Sequence, residues 1–175
     1  VFGGRMPLEF DAALQKRPSF ADICGAGHYA ELLNDMGLVS ATAYDTDKYA
    51  PMVIAGSLKH LDLSERLPVA DWLLCLDAAS IRAASLVDLL KQLRRVSRDG
   101  AVIAWRDPSA CRAAGVGDPQ STGNMVAAAR AAELAGFRID MSATQRLRDR
   151  SKTSKLRRSV LLLRCTAIPA DPTSA

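Results

Sequence analysis

Long hydrophobic runs are missing from this chain of 175 residues, in which no stretch approaches the roughly 18 consecutive apolar residues that a membrane-spanning helix requires. The expectation is a protein that does not span a membrane. Histidine is scarce, with 2 residues, and the 4 cysteines (Cys24, Cys75, Cys111 and Cys165) stand singly, without a C-x-x-C pair. That spacing excludes the common zinc patterns, so no metal is expected. Internal repeats are absent, as is any bias toward disordered, collagenous or coiled-coil composition. A chain of this length holds one core, which leaves no room for a second domain.

Cys24, Cys75 and Cys165 lie in apolar segments and read as buried thiols, which points to an intracellular, reducing compartment. The chain starts at Val1 rather than Met. That start suggests a trimmed form, or a mature form whose targeting peptide had directed it to an organelle.

Charge is present but unevenly placed. Between Ser142 and Cys165 eight basic residues (Arg146, Arg148, Arg150, Lys152, Lys155, Arg157, Arg158, Arg164) face Asp149 alone, a local net charge of +7 on a chain whose total is +4. The remainder is slightly acidic. Such a block suits an acidic partner or nucleic acid. It lacks the interleaved aromatics of a single-strand binder, and a solvated loop or helix face is the first expectation for it.

Apolar, β-branched runs alternate with helix-length stretches, the pattern of βαβ units around a mostly parallel sheet. Strands are expected at Ser19 to Cys24, Val39 to Tyr44, Leu58 to Leu61, Ala70 to Leu76, Ala101 to Trp105, Phe137 to Met141 and Ser159 to Cys165. The first of these is expected in the middle of the sheet, with helices on both faces. Helices are expected around Leu8 to Gln15, at Tyr29 to Met36 ending on Gly37, at Ser85 to Val96, and at Met125 to Ala135 ending on Gly136. Asp99-Gly100 reads as the break after the third, and the glycine-rich stretch from Cys111 to Thr122 as a loop or lid. Trp72 reads as core and His60 as structural. The organisation is an N-terminal segment 1–18 with a short helix, a domain 19–165 and a tail 166–175.

Between the first strand and the following helix lies Asp22-Ile23-Cys24-Gly25-Ala26-Gly27-His28. Glycines in such a turn let the backbone approach a nucleoside, and the helix start offers free N–H groups. Asp45 stands 18 residues beyond Gly27 at the end of the second strand, where a ribose-binding acid belongs. The two glycines would equally serve tight packing of helix on strand.

The stretches GAGHYAELLNDMGL, AYDTD, KHLDLSERLPVADWLLCL, LKQLRRVSRDGAVIAW, AAELAGFRIDMSATQRLRD and RRSVLLLR cover most of Ser19 to Arg164. Through them the chain resembles class I S-adenosylmethionine-dependent methyltransferases, and more closely a eukaryotic group of poorly characterised methyltransferase-like proteins. The resemblance implies an α/β fold with a three-layer, Rossmann-like sheet, mostly parallel with an antiparallel strand near the C-terminus. It also implies S-adenosylmethionine as cofactor. Carried over residue by residue, Asp22, Gly25 and Gly27 belong to the turn that holds the methionine part, Asp45 to the ribose site and Asp62 to the adenine site.

Two departures qualify the resemblance. The family turn reads D-x-G-x-G-x-G, whereas here Asp22 precedes I-C-G-A-G, one residue shorter with one glycine fewer. After the fourth strand the family shows an acid followed by Glu-His, where this chain has Asp77-Ala78-Ala79-Ser80-Ile81. The expected function is therefore a degenerate methyltransferase-like domain acting as an accessory or structural subunit. An active methyltransferase on an unassigned acceptor is the alternative. The expected partners are other protein subunits, with nucleic acid through Arg146, Arg148, Arg150, Arg157 and Arg158 the lesser expectation.

Overall fold

The computed structural model describes residues 17–23, 27–49, 51–63, 68–76, 78, 84–104, 122–153, 157 and 159–166, with the side chains of 122–125 excepted. Seven strands form one sheet: β1 (Ser19–Ile23), β2 (Ser40–Asp45), β3 (Lys59–His60), β4 (Ala70–Cys75), β5 (Ser97–Ile103), β6 (Phe137–Ile139) and β7 (Leu161–Cys165). Their order is β3-β2-β1-β4-β5-β7-β6. β1 to β5 are parallel, and β7 runs antiparallel to both β5 and β6. The α/β, three-layer arrangement expected from the sequence is thus present, with β1 inside the sheet. The order reverses direction between β1 and β4, the switch point at which open α/β sheets bind ligands.

Among the described residues five helices accompany the strands: α1 (His28–Asp35), α2 (Pro51–Ile54), α3 (Leu86–Val96), α4 (Thr122–Leu134) and α5 (Met141–Arg150). α3 starts on Ser85, whose hydroxyl accepts the Asp88 amide at 3.1 Å and donates to the Asp88 carboxylate at 2.8 Å. Its leucines at helical spacing, Leu86, Leu89, Leu90 and Leu93, turn toward the sheet. There Leu89, Leu90, Leu93 and Val96 meet Ile23, Leu73, Ile103 and Leu163, while Ala128, Ala131 and Ala132 of α4 let that helix approach closely. Burying each such leucine is worth about 1.5–3 kcal/mol. The main core therefore lies on the α3/α4 face.

Among the described residues the opposite face is more sparsely filled. α1 covers β1 and β2 there, and Leu147 of α5 packs on Leu74 and Val102. Trp72, expected in the core, stands half-buried on this face instead.

Asp99-Gly100 does not break the third helix. α3 ends at Val96, Ser97 turns extended (φ −119°, ψ 139°), and β5 runs from Ser97 through Asp99 and Gly100. The cause is tertiary. Gly100 sits opposite Trp72 and Arg164, where a side chain would collide with the Trp72 ring and the Leu163 carbonyl. β6 stops at Ile139 rather than Met141, because the Asp140 side chain accepts the Ala143 amide at 2.9 Å and starts α5. The first part of the basic block is consequently helical. The helix expected at Leu8 to Gln15 and the loop expected at 111–122 lie outside the described residues, save Thr122 at the start of α4.

Candidate functional site

β1 delivers Asp22 to the C-terminal end of the sheet beneath the start of α1. Its side chain is 1% exposed, and neither carboxylate oxygen has a hydrogen-bond partner among the described residues. Burial pushes its pKa from 3.8 up to about 6. The nearby Ala30 amide, which does not reach hydrogen-bonding geometry, and attraction to His28 oppose that rise only in part.

Gly27 precedes α1 with φ 81°, in the left-handed region that favours glycine, and its carbonyl accepts the Glu31 amide at 3.0 Å. A Cβ there would stand 3.0 Å from Cδ2 of Leu58 and 3.7 Å from Cβ of Ala43. Packing and backbone conformation together account for this glycine. The N-cap residue, Gly27, has no side chain to cap α1, and among the described residues its first amides are open to another acceptor.

Asp45 ends β2 half-buried, with one carboxylate oxygen accepting the Asp47 amide at 2.9 Å. That bond fixes the direction of the carboxyl group. The Leu61 amide donates to the Asp45 carbonyl at 2.9 Å, which holds Asp62, the next residue, at the same end of the sheet. Asp22, Gly27, Asp45 and Asp62 are therefore gathered along the C-terminal ends of β1 to β3. Gly25, Asp77, Ala79 to Ile81 and Trp105 lie outside the described residues.

A cavity of about 550 Å³ opens beside this row, between α1, β2 and the segment from Met52 to Lys59. Gly27, His28, Glu31, Thr42, Leu58 and Lys59 contribute to its walls, and Asp22, Asp45 and Asp62 do not. Its volume is within the range of small-molecule sites. The sequence reading missed it, because its walls are ordinary small and surface residues brought together by the turn after α2. Among the described residues, no three His, Cys, Asp or Glu side chains group as metal ligands.

The basic block divides in space. Arg148 donates from Nε to the Val160 carbonyl at 3.2 Å, and Arg157 donates twice to the Ser151 carbonyl, at 3.2 and 2.9 Å. Arg164 pairs with Asp140 at 3.3 Å. Arg146, Arg150 and Lys152 point into solvent. Arg158 lies outside the described residues.

No protein-family model matches the sequence, and no curated protein does. Solved structures match in fold. The aminoglycoside resistance methyltransferase NpmB1 is similar over 90% of this chain and 92% of its own, with a TM-score of 0.56 and 18% identity. A TehB-like SAM-dependent methyltransferase from Corynebacterium glutamicum is similar over 90% of this chain and 85% of its own, with a TM-score of 0.54 and 16% identity. The magnesium protoporphyrin IX methyltransferase of Synechocystis, solved with bound SAM, covers 91% of this chain and 74% of its own, with a TM-score of 0.52 and 12% identity. At these identities the likeness is one of fold: the chain shares the sheet architecture of these methyltransferases.

Proposed function

We propose that this chain is a methyltransferase-fold domain that binds S-adenosylmethionine at the β1/β4 switch point and acts as an accessory subunit, with little or no methyl transfer of its own. One observation carries the cofactor part. Asp22 is a buried carboxylate without a partner among the described residues, and such a group calls for a cation. The ammonium of the cofactor's methionine part is such a cation. The uncapped start of α1 suits the adjoining carboxylate, Asp45 suits the ribose hydroxyls, and Asp62 suits the adenine side. S-adenosylmethionine, when bound, supplies an electrophilic methyl group on sulfur.

Weak retention of the cofactor and loss of transfer are supported by the turn. Gly27 is required by its backbone angle and by Leu58, so it does not by itself testify to a cofactor. The turn is a residue short, and no Glu-His pair follows the fourth strand. A subunit role is supported by apolar side chains left in water on and after α1: Leu32, Met36 and Leu38 are 56%, 57% and 68% exposed. Residues 32 and 36 share one helix face, and contiguous apolar surface of this kind marks protein contacts.

Calorimetric titration with S-adenosylmethionine tests the cofactor part. Binding should be weak, and Asp45→Ala should weaken it roughly tenfold or more, the worth of charge-assisted bonds to a diol. Binding unaffected by that change would place the site elsewhere. Native mass measurement on material from the source tests the subunit part, which recovery of a free monomer that turns over S-adenosylmethionine would overturn.

A further inference from the structure

On the α1/α5 face, strand register places five residues in one row across the sheet: Phe20, Trp72, Gly100, Arg164 and Arg138. The rings of Phe20 and Trp72 stack with centroids 6.4 Å apart and planes 18° from parallel. The Arg164 guanidinium lies over the Trp72 ring, 4.8 Å from its centroid. Gly100 leaves the space into which Trp72 leans. The row thus passes from aromatic planes to a guanidinium plane and ends on Arg138, exposed on edge strand β6.

Directly opposed like charges on neighbouring strands repel. Arg138 and Arg164 are such a pair. Asp140 answers Arg164 at 3.3 Å, and its carboxyl is held below its ordinary pKa by the Ala143 amide first, then by Arg164 and, least, by Arg146, which itself donates to the Ser142 hydroxyl at 2.7 Å. One carboxylate therefore serves two arginines. Arg150, one helical turn beyond Arg146, and Lys152 extend the positive line into solvent. Asp149, the other acid of α5, is taken up by the Gln145 amide at 2.8 Å.

We infer that this face, formed by β6, β7 and α5 beside the Phe20–Trp72–Arg164 stack, binds the phosphate backbone of single-stranded nucleic acid. Arginine forks match phosphate oxygens in pairs. Half-buried aromatic planes next to a basic line are the second component of single-strand surfaces, and an acidic peptide has no need of them. Arg150 and Arg146, both exposed and the latter with Nη1 on the Ser142 hydroxyl, supply the forks, and Arg138 continues the line at the sheet edge. The surface is separate from the row of Asp22, Asp45 and Asp62, so the inference does not depend on cofactor binding.

Fluorescence anisotropy with a short, labelled, mixed-sequence single-stranded RNA, read over a series of salt concentrations, tests it. Affinity should fall steeply with salt, and the double variant Arg146→Ala/Arg150→Ala should flatten the log–log slope by roughly 1.4, two phosphate contacts on a single strand. Arg130→Ala, on α4 against the other face and near Glu133 at 3.7 Å, should leave the slope as it was. Three results would overturn the inference: no binding at low salt, an unchanged slope in the double variant, or displacement of the RNA by polyglutamate at equal charge concentration. The last would assign the face to an acidic protein.

Discussion

The indole of Trp72 occupies the space in which a side chain at position 100 would begin: a Cβ built on Gly100 would lie 2.7 Å from Cζ3 of Trp72, with the Leu163 carbonyl oxygen closer still. β4, β5 and β7 are in register at this point, so a methyl group has to push β5 away from one of its neighbours. Gly100→Ala is expected to cost about 3 kcal/mol, the upper end of ordinary overpacking. Urea denaturation reads it as a lowered midpoint. An unchanged midpoint would mean that the strands part without strain. Trp72→Leu should recover only part of the loss, because the carbonyl contact remains.

Arg94 closes the far end of the same sheet. Its guanidinium donates to the carbonyls of Gly136 at 3.2 Å, Ser97 at 2.9 Å and Thr166 at 3.2 Å, joining the end of α3, the turn before β6 and the end of β7. Loss of these bonds in Arg94→Ala should cost roughly 2–3 kcal/mol, most of it from carbonyls left unpaired. Arg94→Lys should rescue little, since a single ammonium cannot span three carbonyls in a planar fork. Equal stability of the lysine and arginine forms would show that charge rather than shape matters at this position.

Asp22 gives stability a dependence on pH that runs opposite to that of an ion-paired carboxylate. Its pKa is raised from 3.8 to about 6, so the folded protein holds a proton that the unfolded chain has released. Stability falls as pH rises through that window and then stays level. Asp22→Asn should therefore be more stable than the parent by roughly 1–2 kcal/mol at pH 7 and indistinguishable from it near pH 3. A cation bound at the site favours the ionised form, so affinity for S-adenosylmethionine should drop as pH falls below about 6. Affinity constant between pH 5 and pH 8 would remove Asp22 from the site.

Asp71 supplies the contrasting case. It accepts the Ser19 amide at 2.8 Å and the Ser19 hydroxyl at 2.9 Å and pairs with Arg98, and these bonds hold its carboxyl below the usual 3.8. Its contribution is present above pH 3.8 and is lost as pH falls through the lowered value. Asp71→Ala should cost roughly 2 kcal/mol at neutral pH and less in strong acid, measured by urea midpoints at both. A cost independent of pH would show that the Ser19 bonds do not need the charge.

Strand and helix identities were legible where a pattern is local. Ala70 to Leu76 reads as a buried strand from its own composition, and β4 runs from Ala70 to Cys75; Leu86, Leu89, Leu90 and Leu93 announce a helix face by spacing alone. Asp22, Gly27 and Asp45 stood out as candidates for the same reason, because one strand, one turn and the next strand carry them in sequence. The structure sets them with Asp62 at one end of the sheet.

Asp99-Gly100 shows where locality ends. The dipeptide carries a turn signal, but the decisive partners are Trp72 and Leu163, distant in the chain and adjacent only after the sheet has formed. The basic segment likewise reads as a run without aromatics, since Phe20 and Trp72 join Arg164 only through strand register. The sequence by itself determined the alternation of elements, the left-handed Gly27 before α1 and the acid at the end of the second strand, because each depends on residues within a few positions of one another. Only the tertiary structure decided that Gly100 lies inside a strand, that Asp22 is buried without a partner among the described residues, and that arginines of three elements share one face. Those outcomes depend on which strands become neighbours, and strand order is settled by the packing of the whole sheet.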